Sequence, residues 1–145
     1  MSDDWETRLA HLPVAEFAFP GPLRDRLVAA VLRGTKTATS FLAEEAARLG
    51  DPWPMAGQRE LVIDSDGRGV CVTEVVSVRS CRLADVPDEH ARGENEDYQN
   101  HVDWRQAHER FWSAPEYLEE IGEPPIVLDD NTEVVLVRFE VVEVL

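Results

Sequence analysis

Lysine is almost missing from this chain: of 14 basic side chains, 13 are arginine, and the one lysine stands at position 36. A chain that uses arginine wherever it serves keeps lysine for a task arginine cannot do. The amine sheds its proton when desolvated and fits a tight pocket; the guanidinium in practice does neither. Cysteine is nearly as scarce. Cys71 and Cys81 fall in one β-like stretch, and a single extended strand holds residues ten apart about 33 Å from each other, too far to bond. Two reduced thiols in or near the core are expected. No Cys/His spacing matches a zinc site, and no carboxylates pair at a metal-binding interval, so neither metal nor cofactor is expected. No apolar run approaches the roughly 20 residues of a membrane span. The segment Met1–Glu6 lacks the basic and apolar regions of a signal peptide, so no membrane partner and a cytoplasmic location are expected. A P-loop, a dinucleotide fingerprint and a nucleophile elbow are also missing.

Positive charge is short overall. The formal net charge is −15 over 145 residues, and 43% of them are hydrophobic. The apolar share and the length fit one globular domain spanning 1–145, with 1–13 as an N-terminal extension or short helix. The negative charge repels polyanions at long range, which excludes tight sequence-independent binding of duplex DNA. A small nucleoside, or a short single-stranded RNA entering a locally positive pocket, stays compatible with it.

Along the chain, Trp5, Leu9 and Leu12 sit at helical spacing within residues 3–12. Residues 15–19 alternate like a short strand and stop at Pro20. Pro22 suits a first helical turn, Leu23, Leu27, Ala30 and Val31 form one apolar stripe, and Gly34 is a C-terminal stop. Residues 41–49 read as a second helix, 51–57 as a loop, 59–64 as a strand and 66–69 as a hairpin turn. Residues 69–83 make a long strand or a bent pair. Val70, Val72, Val76 and Val78 line one face, interrupted by Glu74; either a bulge shifts the register there or that carboxylate points inward. Residues 84–97 read as polar and irregular, with room for one short helix. Residues 100–112 are helical, with Trp104, His108, Phe111 and Trp112 on one face and Arg105 off it. A further turn or two fits 114–121, and 132–144 is the clearest strand. Long strands with helices inserted early and late suggest an α+β fold, a small, partly closed barrel with helices on its rim.

The chemistry centres on Lys36, one or two residues past a helix end and among Thr35, Thr37, Thr39 and Ser40. Small hydroxyl residues around a lone cation suit recognition of a carbonyl or phosphate. Thr39 would attack, and Lys36 take its proton, if the segment coils; a straight strand would put the two on opposite faces. Glu94 and Glu96 belong to a loop where a protected carboxylate would serve as general acid or base. His90 and His101 have no recognisable context by spacing.

At these residues the sequence resembles the ASCH family, related to the PUA domains of RNA metabolism. The diagnostic run is Gly34-Thr35-Lys36-Thr37-Ala38-Thr39-Ser40 after a helix, and it is similar to the longer bacterial subgroup. There it is followed by a helix, a Pro- and Gly-containing loop and a Val-Ile-Asp strand, seen here as 41–49, 51–57 and Leu61–Asp64. Glu94-Asn95-Glu96, Trp104-Arg105-Gln106-Ala107-His108 and Arg138-Phe139 complete the ordered set. The likeness runs from about Phe17 to Val144. In one respect the chain departs: Val137 stands where the longer subgroup often carries an acid.

The resemblance implies a PUA-like (ASCH) β-barrel, six-stranded or similar, with a cleft at the lysine motif. A relative in the shorter subgroup is an N4-acetylcytidine amidohydrolase whose proposed set is a lysine, a threonine three residues on, and a glutamate in a His-Ala-x-x-Glu-Asn context. Lys36, Thr39 and Glu94 occupy those places and are the implied catalytic residues. Thr37, Ser40, Trp53, Trp104, Arg105 and His108 are the candidate substrate contacts, with Thr37 or a nearby backbone N–H at the oxyanion and Trp53 or Trp104 stacking on the base. The expected function is hydrolysis of an acylated nucleoside such as N4-acetylcytidine. The alternatives are a non-catalytic RNA- or nucleotide-binding module and, third, a ribonuclease.

Overall fold

The computed structural model describes residues 5–95 and 97–145. Met1–Asp4, two of which fall in the expected first helix, lie outside the described residues, as do the Trp5 side chain and Glu96. In chain order the elements are α1 (Trp5–Arg8), β1 (Val14–Ala15), α2 (Pro22–Arg33), β2 (Ala38–Leu42), α3 (Ala43–Leu49), β3 (Arg59–Ile63), β4 (Gly69–Arg82), α4 (Asp88–Glu94), α5 (His101–Trp112), α6 (Pro115–Ile121) and β5 (Glu133–Val144). No described helix is long and apolar enough to cross a membrane.

Pro22 opens α2 and Gly34, left-handed at φ 81°, closes it, its N–H bonding the carbonyls of Ala30 and Val31. That is the stop glycine provides without a Cβ penalty. The buried stripe of α2 is rotated from the one the apolar residues suggest. Leu23 is exposed and Arg24 is buried. Its guanidinium donates to the Ala18 carbonyl at 2.7 Å and to the Asp64 carbonyl at 3.3 Å. Ala18 itself sits at φ 62°. β1 stops at Ala15, and the left-handed Ala18 turns the chain within 15–19, where the alternation suggests five strand residues.

The sheet has five strands in the order β1-β3-β4-β5-β2. β1 runs parallel to β3, and every other neighbour is antiparallel. This corrects the expected barrel. Closure requires the two outer strands to pair, and β1 and β2 occupy opposite ends of an open sheet. β1 offers only two residues to any partner, and beyond β2 the next packing elements are helices: α3 and α4 both contact it. The result is an α+β sheet that bends without closing. Its bend comes from register shifts in β4, at Val72/Thr73 and between Val75 and Ser77. The second shift resolves the valine pattern: Val72 and Val75 are buried, Val76 is exposed, and Glu74 reaches sideways to Arg59 at 3.2 Å. Both cysteines lie in β4 as free thiols, Cys71 buried and Cys81 partly so.

Helices cover both faces. On one, Val28 and Val31 of α2 pack with Phe17, Val62, Cys71 and Phe139. On the other, Trp104, Trp112, Tyr117 and Ile121 of α5 and α6 pack over Leu42, Val134 and Leu136. Alternation along β5 sets Leu136 and Phe139 on opposite faces, so the two clusters are separate layers. The expected helix from residue 41 begins at 43, because Phe41 and Leu42 continue β2 and pair with Val135 and Val134. Lys36 lies between α2 and β2, where the chain passes from one layer to the other.

Candidate functional site

Lys36 is 3% exposed. Its Nζ donates to the backbone carbonyls of Ala38 at 2.7 Å and Glu94 at 2.9 Å, and lies 5.3 Å from the centre of the Phe17 ring. Burial draws its pKa down from 10.5 to about 8, against the opposing pull of the nearby Glu94 charge. Two carbonyls occupy two of the three ammonium protons, so a neutral amine keeps both bonds.

Glu94, 4% exposed at the end of α4, is the centre of the cluster. Its Oε2 accepts from Trp104 Nε1 at 2.6 Å, Ser40 Oγ at 2.7 Å and His90 Nε2 at 2.8 Å. Its Oε1 lies 3.1 Å from His108 Nε2. Burial works to raise the carboxyl's pKa. The His108 charge, the hydrogen bonds from His108 and His90, and Lys36 together overcome that and hold it well below the usual carboxylate range. His108 Nδ1 lies 2.8 Å from the Trp104 carbonyl, which only accepts. Nε2 faces an ionised carboxylate, which also only accepts. Each ring nitrogen thus faces an acceptor. Among the described residues, no buried side-chain nitrogen or oxygen lacks a partner.

Local structure explains the convergence. His90 and Glu94 are four apart on α4, hence neighbours on one helix face, and so are Trp104 and His108 on α5. The rings of Trp104 and His108 stack with centroids 4.2 Å apart. Asn100 caps α5, its side chain accepting from the N–H groups of Val102 and Asp103. α4 is fastened to the chain before β2 by Thr37 N–H to the Gly93 carbonyl, 2.8 Å. A side chain at Gly93 would meet Ala38 Cβ and Thr37 Oγ1 at 3.3 Å; a bare helix position permits that approach. Alternation along β2 brings Ala38, Ser40 and Leu42 to the Glu94 side and turns Thr39 and Phe41 to the other.

Of the residues singled out by sequence, Lys36, Ser40, Glu94, Trp104 and His108 come together. Thr37 lies at the edge of the group and lines a recess of about 60 Å³ with Arg79, His90, Gly93 and Arg138. Thr39 pairs with Val137 on β5 and has no bond to the cluster. Trp53 stands 41% exposed on the 51–57 loop, and Trp104 is fully buried, a donor to Glu94 rather than an open stacking surface. Arg105 points outward to Glu109 and Asp130, each at 2.8 Å. Sequence reasoning missed His90 as a partner of Glu94. The signal was its i, i+4 spacing to that residue, hidden while 84–97 read as irregular. Phe17 and Arg79 carried no signal of their own in this respect, and Arg138 was marked only as part of the family's last strand; strand pairing and chain reversal bring them near. Among the described residues, no three His, Cys, Asp or Glu side chains are arranged to hold a metal ion.

The whole fold has counterparts among solved structures. The crystal structure of an ASCH domain from Lactobacillus crispatus JV V101 superposes with a TM-score of 0.78 at 25% identity, over 99% of this chain and 87% of that one. A protein from Enterococcus faecalis V583 matches with a TM-score of 0.80 at 22% identity, over 97% of this chain and 86% of that one, a likeness of fold. No curated protein matches this chain significantly. The profile of the ASCH domain runs over residues 16–143, from before α2 into the last strand, and so takes in the entire Lys36–Glu94 cluster: this chain belongs to the ASCH domain family.

Proposed function

We propose that this ASCH protein is a nucleoside-directed hydrolase that removes an acyl group from an exocyclic amine, with N4-acetylcytidine the first substrate to test. The observation that carries the reading is a buried amine of pKa about 8 beside a buried carboxylate that already binds a hydroxyl at 2.7 Å. A nucleophile needs its base within roughly 3 Å, and Ser40 meets that condition toward Glu94. Ser40 is therefore the preferred nucleophile over Thr39, whose strand position turns it from the carboxylate.

In the proposed reaction Ser40 Oγ bonds to the acetyl carbon while its proton passes to Glu94. Collapse of the tetrahedral intermediate breaks the C–N bond, and the amine leaves with that proton. Water then adds to the acyl-serine ester, restores the hydroxyl and releases acetate. Lys36 gives the centre its charge balance and gains or loses one proton near pH 8. Thr37 is the proposed oxyanion donor. A recess of about 60 Å³ is the proposed entry for a two-carbon acyl arm; its lining includes Thr37, Ala38 and His90 but not Ser40, so the reaction requires that wall to give way. Pockets that enclose a drug-sized ligand run from about 300 Å³ upward, so the base rests across the mouth.

The test is incubation of purified protein with N4-acetylcytidine and chromatographic assay of cytidine and acetate. Turnover that is abolished in Ser40→Ala and Lys36→Arg, and kept in Thr39→Val, supports the reading. No turnover by the parent protein, or turnover unchanged in Lys36→Arg, ends it.

A second reading, a non-catalytic nucleotide- or RNA-binding module, is favoured by one observation: Lys36 and Glu94 are buried and each of their polar side-chain atoms already has a partner. The cluster would then only fasten α4 to β2. That reading expects saturable, salt-sensitive binding of a short single-stranded RNA without product.

A further inference from the structure

Four arginines are neutralised at close range: Arg8 pairs with Glu143 at 2.7 Å, Arg59 with Glu74 at 3.2 Å, Arg82 with Asp85 at 2.8 Å and Arg105 with Glu109 at 2.8 Å. Two arginines without such a close partner converge on the recess. Arg79 makes no ion pair among the described residues. Arg138 faces Glu89 at 3.8 Å, beyond hydrogen-bonding range, and Glu89 is 80% exposed. Among the described residues neither guanidinium has a carboxylate within hydrogen-bonding range, in a chain with 29 acidic residues against 14 basic ones, although Glu89 also lines the recess.

Strand register places them as a pair. Arg79 of β4 lies opposite Leu136 of β5, and Arg138 lies opposite Ser77. They are diagonal neighbours on one sheet face, their Cα atoms about 7–8 Å apart. The same face carries Ala38 of β2, which is opposite Arg138. Both arginines line the recess whose wall includes His90, the imidazole bonded to Glu94. A planar guanidinium matches a phosphate by two parallel N–H bonds, and two of them flanking a mouth select an anion over a neutral group.

We propose that Arg79 and Arg138 form a phosphate-binding subsite, so that the ligand of this ASCH site is a nucleoside carrying phosphate, not a bare nucleoside. The phosphate rests on the guanidinium tips at the rim, next to the opening through which an acyl arm would enter. Glu89 opposes it, since its carboxylate competes for Arg138 and repels the anion. This assignment rests on reading the recess as the substrate mouth, but binding alone tests it. The phosphate comes from a free nucleotide as a monoester or from an RNA strand as a diester.

Calorimetric titration of the whole chain at low salt with three probes separates the possibilities: cytidine, cytidine 5′-monophosphate, and a cytidine tetranucleotide without terminal phosphates. At least one phosphate-bearing probe is expected to bind tenfold or more tighter than cytidine. Preference for the monophosphate assigns the monoester, and preference for the tetranucleotide assigns the diester. The gap should shrink below threefold in Arg79→Gln/Arg138→Gln, two exposed positions whose change leaves the core intact, and should widen in Glu89→Gln. Equal binding of all three probes, no binding of either phosphate probe, or a gap that survives in the double variant would overturn the proposal. Acetyl release is scored separately. A binding gap without any release supports the subsite and removes only the hydrolase reading, whereas release with no gap removes the subsite alone.

Discussion

The indole N–H of Trp104 meets Glu94 Oε2 at 2.6 Å, the shortest of the four contacts to that carboxylate, and the indole is wholly buried. A tryptophan on an amphipathic helix would ordinarily be counted as core filler. Here it also satisfies a charge that burial would otherwise penalise by several kcal/mol.

Trp104→Phe separates these two roles. Phenylalanine keeps most of the ring volume and removes the donor. A hydrogen bond to a charged group contributes about 1.5–3 kcal/mol, so a loss in that range is expected in urea unfolding, with an unchanged m-value. A loss under 0.5 kcal/mol would mean that Ser40 and His90 satisfy Oε2 without the indole.

How far this arrangement was legible in sequence varies by element. Pro22 and Gly34 bound α2 correctly because capping chemistry is local. The face of α2 was misjudged because Arg24 finds buried carbonyls on Ala18 and Asp64, which only the folded chain supplies. Lys36 and Glu94 were visible as unusual residues, and their approach to each other, a tertiary contact across 58 positions, was expected only through the family resemblance. Thr39 was favoured over Ser40 by its spacing from Lys36, and pairing of β2 with β5 decides which hydroxyl reaches the carboxylate. Barrel closure was inferred from strand number and length; it depends on whether the edges meet, and a two-residue β1 does not advertise its brevity in alternating residues.

Lys36 makes stability depend on pH in a window that can be isolated. Its folded pKa, about 8, lies below its ordinary 10.5. Between these values the unfolded chain holds more protons than the folded one, so stability rises with pH across the window and is lost again as pH falls through about 8. The full gap corresponds to about 3 kcal/mol. Cys71, raised to about 11, and Tyr98, raised to about 12, act oppositely once pH exceeds their ordinary values of 9.0 and 10.0. The clean interval is therefore pH 8–9, bounded below by the lysine and above by the thiol. Urea midpoints of the parent protein should climb there, and those of Lys36→Met should not. The two proteins also differ by the carbonyls left unpaired, so the slopes carry the test rather than the absolute values. Parallel slopes would place the amine in a wetter site than its 3% exposure indicates.

Gly93→Ala probes the seam between α4 and β2. Alanine favours helix over glycine by up to about 1 kcal/mol. The new Cβ would press on Ala38 Cβ and Thr37 Oγ1 at 3.3 Å; the hydroxyl can rotate, but Ala38 is fixed by strand pairing with Arg138. Overpacking of this kind costs about 1–3 kcal/mol. A net loss of about 1 kcal/mol is expected, with faster hydrogen exchange at the Thr37 amide, whose bond to the Gly93 carbonyl spans the seam. Increased stability with unchanged exchange would show that the helix yields at no cost.

Glu94→Gln tests the donor logic of the cluster most directly. Oε2 receives three donors, so the amide oxygen of glutamine must take that place. The amide nitrogen then replaces Oε1 and presents N–H to His108 Nε2, 3.1 Å away in the parent. That nitrogen can accept only without its own proton, while Nδ1 keeps its proton for the Trp104 carbonyl. The substitution should therefore leave Nε2 of His108 as an acceptor and Nδ1 as the donor, with little change in packing. Nitrogen-15 spectra of the imidazoles near pH 7 should show the Nε2 resonance of His108 move to the unprotonated range in the variant. An Nε2 resonance still in the protonated range in the variant would mean that the amide sits the other way round, its nitrogen facing the donors from which Oε2 accepts in the parent.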